Sequence, residues 1–222
     1  MSINKQNFKE VGYCVVKSAI SQELRDFITQ YALFDSAQDF SPEKYEGPGT
    51  VPGAHSKYAD PAMESILLYL HNIVETNTGL SLHPTYSYYR IYKNGDELAQ
   101  HIDRESCEIS VTLCFNFDYG DSEYKWPIFM GGKPIVQDAG DLIIYRGCDV
   151  NHWREKLQHS ENSWHLQGFF HYVDANGPYA EYMYDRRPMI GALPESRINN
   201  ESSIQPKTEN KIKEKSYIQY TR

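Results

Sequence analysis

The sequence predicts a mainly β protein, with helices packed on an antiparallel sandwich or barrel. Three observations predict it. Two amphipathic helix signals lie early in a chain of 222 residues. From residue 80 onward the pattern changes to short aromatic and β-branched runs separated by Gly or Asp turns. The chain carries 18 Tyr and 9 Phe, an aromatic load that goes with a packed core and not with disorder. Helices followed by a series of strands segregate into layers of this kind, and the length suits one domain with a sizeable core.

The first element is the apolar run 12–16 (GYCVV), a strand. A helix starts near Ser21, whose hydroxyl can cap free N–H groups ahead of Leu24, Phe27, Ile28 and Ala32 at helical spacing. Residues 35–58, rich in Ser, Asp, Pro and Gly, read as a long loop able to act as a lid. The second helix has Asp60 as cap, Pro61 in its first position and Gly79 at its end. Ile66, Leu67, Tyr69, Leu70, Ile73 and Val74 form its buried stripe. Strands follow at 83–92, 109–117, 126–130, 134–137, 142–145 and 164–173. Segment 118–126 (DYGDSEYKW) is a second loop suited to choosing a substrate. The boundaries drawn are one domain over 1–194 and a polar, flexible tail over 195–222.

Net charge is −8, from 22 Lys and Arg against 30 Asp and Glu. The tail holds six basic and four acidic residues (+2), leaving 16 − 26 = −10 for the body. Such a body repels a phosphate backbone, which weighs against nucleic-acid binding. No run of about 18 apolar residues signals a membrane span, and the start MSINKQNFKE lacks a signal-peptide core. The four cysteines, Cys14, Cys107, Cys114 and Cys148, show no CxxC spacing and read as reduced thiols. The expectation is a soluble cytoplasmic chain.

Among eight histidines, one pair has metal-site spacing. His101 and Asp103 in His101-Ile102-Asp103 fall on one side of an extended segment, and His152 follows several strands later in NHWRE. Two imidazoles and a carboxylate form the facial triad that leaves positions open on a non-heme Fe(II) ion. A structural zinc site would more often recruit cysteine.

Residues 8–174 resemble the Fe(II)- and 2-oxoglutarate-dependent dioxygenases, in particular their prolyl-hydroxylase-like branch. Four features in order carry the resemblance: GYCVV with its helix, YRIYKNGDELAQHID, AGDLIIYRG, and NHWRE followed by HLQGFFHYVD. The resemblance implies a double-stranded β-helix, or jelly-roll, core. It implies Fe(II) held by His101, Asp103 and His152, with 2-oxoglutarate and O2 as cosubstrates. Oxidative decarboxylation to succinate would then drive attack on a C–H bond. Related halogenases replace the carboxylate by a small residue, so Asp103 favours hydroxylation. The substrate would be a small molecule or a peptide.

The resemblance also implies that Tyr92, on the strand leading into the motif, hydrogen-bonds 2-oxoglutarate. The family's basic residue for the distal carboxylate follows the second histidine. Here that segment holds Asn162, Ser163, His165 and Gln167, and no Arg or Lys. Period-2 alternation puts Arg154 on the side of His152, so Arg154 is the expected clamp, with His165 and Gln167 as helpers. Arg146 and Arg90 are weaker candidates. Arg104 would grip a substrate carboxylate or order Glu105 and Glu108. Trp153 packs, His171 is a satisfied core histidine, and Asp141 shapes its turn. The competing reading is a cupin-like module that binds a metal or ligand without turnover, for which the missing basic residue speaks.

Overall fold

A helix precedes the first predicted strand. In the computed structural model, which describes residues 2–38 and 51–192, α1 (Ile3–Val11) is capped by Ser2 and closed by Gly12 at φ 83°. Phe8 is its one buried side chain, too sparse a stripe for a helical period to register. β1 (Tyr13–Val16) and α2 (Gln22–Gln38) follow, with Ser21 Oγ accepting from the Leu24 amide. α2 buries Ile28, Thr29 and Ala32. Phe27, expected in that stripe, is 67% exposed, because it lies about 100° round the helix from Ile28. The same offset leaves Tyr69 exposed on α3 (Pro61–Thr78), whose cap by Asp60 and close at Gly79 (φ 79°) follow the expectation.

Where the predicted loop 35–58 is described, only 51–54 are turn and coil. α2 continues to Gln38, and β2 (His55–Tyr58) pairs antiparallel with β3 (Leu82–Lys93). Positions 39–50 of the expected loop, and the tail 195–222, lie outside the described residues. The remaining strands are β4 (Leu98–His101), β5 (Ile109–Asp118), β6 (Ile128–Met130), β7 (Lys133–Ile135), β8 (Leu142–Arg146), β9 (His152–Arg154) and β10 (Trp164–Asp174). β4 and β9 escape sequence analysis because LAQH and HWR are short and lack apolar alternation. Pairing makes them strands, β4 with β9 and β9 also with β6.

The strands form two sheets, ordered β1-β8-β5-β10-β3-β2 and β4-β9-β6-β7. Pairing is nested: β3 with β10, β4 with β9, β5 with β8, and β6 with β7 as the innermost hairpin. This is a long hairpin folded over on itself, the jelly roll. The helices cover one face of the larger sheet, where Phe8, Ile28, Leu67 and Leu70 pack with Leu113, Ile144 and Phe170. Between the sheets, Ile128 and Met130 meet Ile143 and Tyr145 at one place, and Tyr92, Leu98, Trp126 and Leu157 cluster at another. After β10 the chain returns through a 3-10 segment, Ala180–Arg186, and Arg187 makes a buried ion pair with Glu64 at 2.7 Å. No helix among the described residues is long and apolar enough to cross a membrane, and all four cysteines are unpaired.

Candidate active site

The nested pairing carries the first consequence for chemistry. β4 and β9 are register partners at His101 and His152, which brings together residues far apart in the chain. Just past β4, the Asp103 amide donates to Gly147 O at 2.8 Å, which turns its carboxylate inward. A Cβ on Gly147 would lie 2.0 Å from Cys107 O and 2.7 Å from Asp103 Oδ2, so only glycine permits this approach.

Asp103 Oδ1 lies 3.6 Å from His101 Nε2 and 3.6 Å from His152 Nε2. The three ligand atoms all fall within 4.8 Å of one another. His101 Nδ1 sits 2.7 Å from Ala99 O, and His152 Nδ1 sits 3.0 Å from Val150 O. A carbonyl only accepts, so each Nδ1 carries the proton and each Nε2 turns a lone pair inward. That is the tautomer and anchoring a metal-binding imidazole requires. Burial lowers the His152 pKa, with Asp103 opposing the shift and His101 adding to it, and keeps that ring neutral. Two imidazoles with one carboxylate, and no thiolate, fit Fe(II). His101 and Asp103 stay partly exposed while His152 is buried, so one side of the cluster opens to solvent.

Ser110 and Tyr145 complete this end. Ser110 Oγ lies 2.8 Å from Asp103 Oδ2, 2.9 Å from Cys107 O and 2.9 Å from His171 Nδ1. The Tyr145 hydroxyl, kept protonated by burial, sits 3.4 Å from His152 Nε2. Sequence reasoning missed both. For Ser110 the available signal was its alternation with Thr112 as polar positions in the apolar stretch 109–115.

The second feature is a buried guanidinium two residues from His152. Arg154 is 2% exposed and faces the interior, as alternation predicted. Nη1 donates to Trp126 O at 2.9 Å, and Nη2 to Gln137 Oε1 at 3.2 Å and Gln167 Oε1 at 3.1 Å. All these acceptors are neutral, and among the described residues no carboxylate pairs with it. Burial alone pulls its pKa down. A cation in this state is several kcal/mol short of its hydration, so the site favours an anion.

The predicted helpers surround Arg154. His165 Nε2 donates to Gln167 Oε1 at 2.5 Å, leaving Nδ1 to accept from Tyr119 Oη at 2.8 Å. Burial first, and Arg154 second, push the His165 pKa well down. Tyr92 is fully buried, edge-on to Trp126, and its hydroxyl accepts from Arg90 Nη1 at 3.1 Å. Its own proton is then free to donate.

The remaining candidates resolve as follows. Arg104 grips neither Glu105 nor Glu108 but Asp185, in a bidentate pair at 3.0 and 2.8 Å. Asp185 also accepts from Tyr58 at 2.7 Å. This partner lies too far along the chain for local inspection to find. Arg146 binds Lys9 O and lies over Phe8, away from the cluster. Arg90 lies among Tyr88, Tyr92 and Phe169 in the barrel wall. Trp153 stacks on Phe129, and Asp141 accepts from the Ser18 and Asp138 amides and from Lys17.

No protein-family model matches the sequence, and no curated protein matches it. Solved structures do share the fold. A prolyl-4-hydroxylase of Pseudomonas putida aligns at 17% identity and TM-score 0.58, over 75% of this chain and 95% of that one. A non-heme alpha-ketoglutarate-dependent epimerase of nogalamycin biosynthesis aligns at 14% identity and TM-score 0.64, over 86% and 90%. A prolyl hydroxylase from Trichoplax adhaerens, solved with a hypoxia-inducible-factor peptide fragment, aligns at 14% identity and TM-score 0.55, over 78% and 88%. At these identities the likeness is one of fold: a jelly roll of the kind that builds such oxygenases.

Proposed function

We propose that this chain is an Fe(II)- and 2-oxoglutarate-dependent oxygenase. In this reading it hydroxylates an unactivated C–H bond of a small-molecule or peptidyl substrate, with 2-oxoglutarate converted to succinate and CO2. The observation that carries the reading is the pairing of two features in one interior. One is the inward-turned set of His101 Nε2, Asp103 Oδ1 and His152 Nε2; the other is Arg154, a buried cation without a carboxylate partner. The first suits a metal with open positions, the second an anionic cosubstrate beside it.

His101, Asp103 and His152 would hold Fe(II). Bound there, the ion supplies the redox chemistry that couples O2 to decarboxylation and C–H oxidation. Arg154 would take the distal carboxylate of 2-oxoglutarate, replacing the basic residue that β10 lacks. The Tyr92 hydroxyl would donate to the same carboxylate. Gln167 holds the guanidinium, and His165 fixes Gln167. The partly exposed side of His101 and Asp103 is the route for substrate.

Hydroxylation is favoured by the presence of Asp103, although the proteins of like fold include an epimerase and a carbocyclase. The acidic net charge supports a substrate other than nucleic acid. The unpaired thiols support a reducing compartment, the cytoplasm. We read the domain as 1–194, with 195–222 a polar tail. The rival reading, a cupin-like binding module, rested on the missing basic residue; Arg154, read as the clamp, speaks against it.

The test is anaerobic addition of Fe(II) and 2-oxoglutarate to the folded chain. A visible metal-to-ligand charge-transfer band, followed by succinate when oxygen is admitted, is the expected result. His101→Ala and His152→Ala should each abolish the band and keep the fold. No band in wild-type protein would overturn the reading, and a band with no succinate in the presence of candidate substrates would favour the binding module.

A further inference from the structure

The two oxygens of Asp103 stand in different surroundings. Oδ1 faces both Nε2 atoms at 3.6 Å, whereas Oδ2 is 2.8 Å from Ser110 Oγ. Ser110 is fully buried on β5, and its hydroxyl has one proton for two acceptors, Asp103 Oδ2 and Cys107 O. A hydrogen bond to an ionised carboxylate is about twice as strong as one to a neutral carbonyl, so the proton goes to Asp103. With that proton committed, the contact with His171 Nδ1 at 2.9 Å needs His171 to donate. The His171 ring is itself fixed, lying against Tyr86 at 4.6 Å between centroids. A directed chain results, from His171 Nδ1–H to Ser110 Oγ–H to Asp103 Oδ2. Gly147 leaves room beside Oδ2 that a Cβ, falling 2.7 Å from it, would take, and the Tyr145 hydroxyl also hydrogen-bonds Asp103.

We infer that Ser110, oriented by His171, is a positioning residue that keeps Asp103 monodentate toward the metal. The inference rests on the Fe(II)/2-oxoglutarate reading and deepens it. A carboxylate free to bind through both oxygens would occupy one more coordination position. Chelation by 2-oxoglutarate needs two positions and oxygen a third, so an Oδ2 held elsewhere keeps the metal open. Ser110 thus acts on cosubstrate binding more than on metal binding. A group that merely stabilised the fold, or merely held the carboxylate in place, would not produce that split.

The test compares wild type, Ser110→Ala and Ser110→Thr. Co(II) serves as the probe for metal affinity and for coordination number from its visible spectrum. Fe(II) with 2-oxoglutarate, added anaerobically, serves as the probe for chelation. Ser110→Ala should bind Co(II) at least as tightly as wild type, with an altered spectrum. It should bind 2-oxoglutarate about tenfold or more weakly, and Ser110→Thr, which keeps the hydroxyl, should recover most of that loss. If Ser110→Ala does not fold, His171→Phe keeps the ring against Tyr86, removes the donor and should shift the same balance. Unchanged 2-oxoglutarate affinity in a folded variant would overturn the inference alone. So would a tenfold loss of Co(II) affinity, which would make Ser110 a support for the carboxylate and no more. A wild-type chain that binds Co(II) but no 2-oxoglutarate would instead remove the functional reading, and this inference with it.

Discussion

Arg154 and His152 stand two residues apart on one three-residue strand, both buried and both turned into the space between the sheets. One short strand therefore supplies a candidate metal ligand and the candidate anion clamp at a fixed separation of about 7 Å, two strand residues. The strand is held by β4 on one side, where Leu98 pairs Arg154 and His101 pairs His152, and by β6 on the other. Coupling through so short an element leaves little freedom between the two functions.

Arg154→Ala should weaken 2-oxoglutarate binding by about 1.5–3 kcal/mol, the range of a hydrogen bond to a charged group, or roughly ten- to a hundredfold. Metal affinity should stay near wild type, since no metal-facing atom touches the guanidinium. Titration of the charge-transfer band reads both. An unchanged affinity would move the clamp elsewhere, and His165→Ala would be the next variant.

Gly147→Ala should damage the metal site from outside it. The new methyl would meet Cys107 O at 2.0 Å, a backbone atom with nowhere to go, and Asp103 Oδ2 at 2.7 Å. Overpacking of this kind costs about 1–3 kcal/mol. A lower thermal midpoint together with weakened Co(II) binding is expected, and normal Co(II) binding would show that Asp103 tolerates displacement.

Arg187→Met should be among the most destabilising changes at a site remote from the metal. It leaves Glu64 buried without its cation, each partner being 2% exposed. Breaking such a pair costs about 3–5 kcal/mol, and replacing both partners by apolar residues recovers much of it. Urea unfolding of Arg187→Met and of Glu64→Leu/Arg187→Met makes the comparison, and equal losses in the two would contradict it.

Asp185 should contribute an acid-labile part of the stability. Burial alone would raise its carboxyl, but hydrogen bonds from Arg104 and Tyr58 outweigh that and hold it below its ordinary 3.8. A folded value below the unfolded one means stability that is fully present above the unfolded pKa. It is lost as pH falls from there through the lower folded value. Unfolding of wild type and Asp185→Asn at about pH 7 and about pH 3 should show a gap that narrows at the lower pH. A gap of the same size at both would refute it.

The chain reveals unequal amounts of all this before it folds. The cap Asp60, the terminating Gly79 and the long strands are legible because propensity and periodicity are local properties. His101, Asp103 and His152 are legible because their residue types are rare in combination, and Arg154 because a strand alternates. Phe27 and Tyr69 were misplaced because a helical stripe fixes spacing without fixing which arc of the helix meets the core. β4 and β9 were missed because they have no apolar signal of their own.

What the sequence by itself determined is the two long helices, the long strands of a mainly β fold and the three candidate ligands, since each follows from residue type and short-range spacing. Only the tertiary structure decided which partner each polar group finds. Arg104 goes to Asp185, Asp103 Oδ2 to Ser110 and Arg154 to two glutamines. A buried charge or hydroxyl takes the partner that the nested strand pairing brings within 3 Å or so of it, and that pairing joins residues with no local relation in sequence.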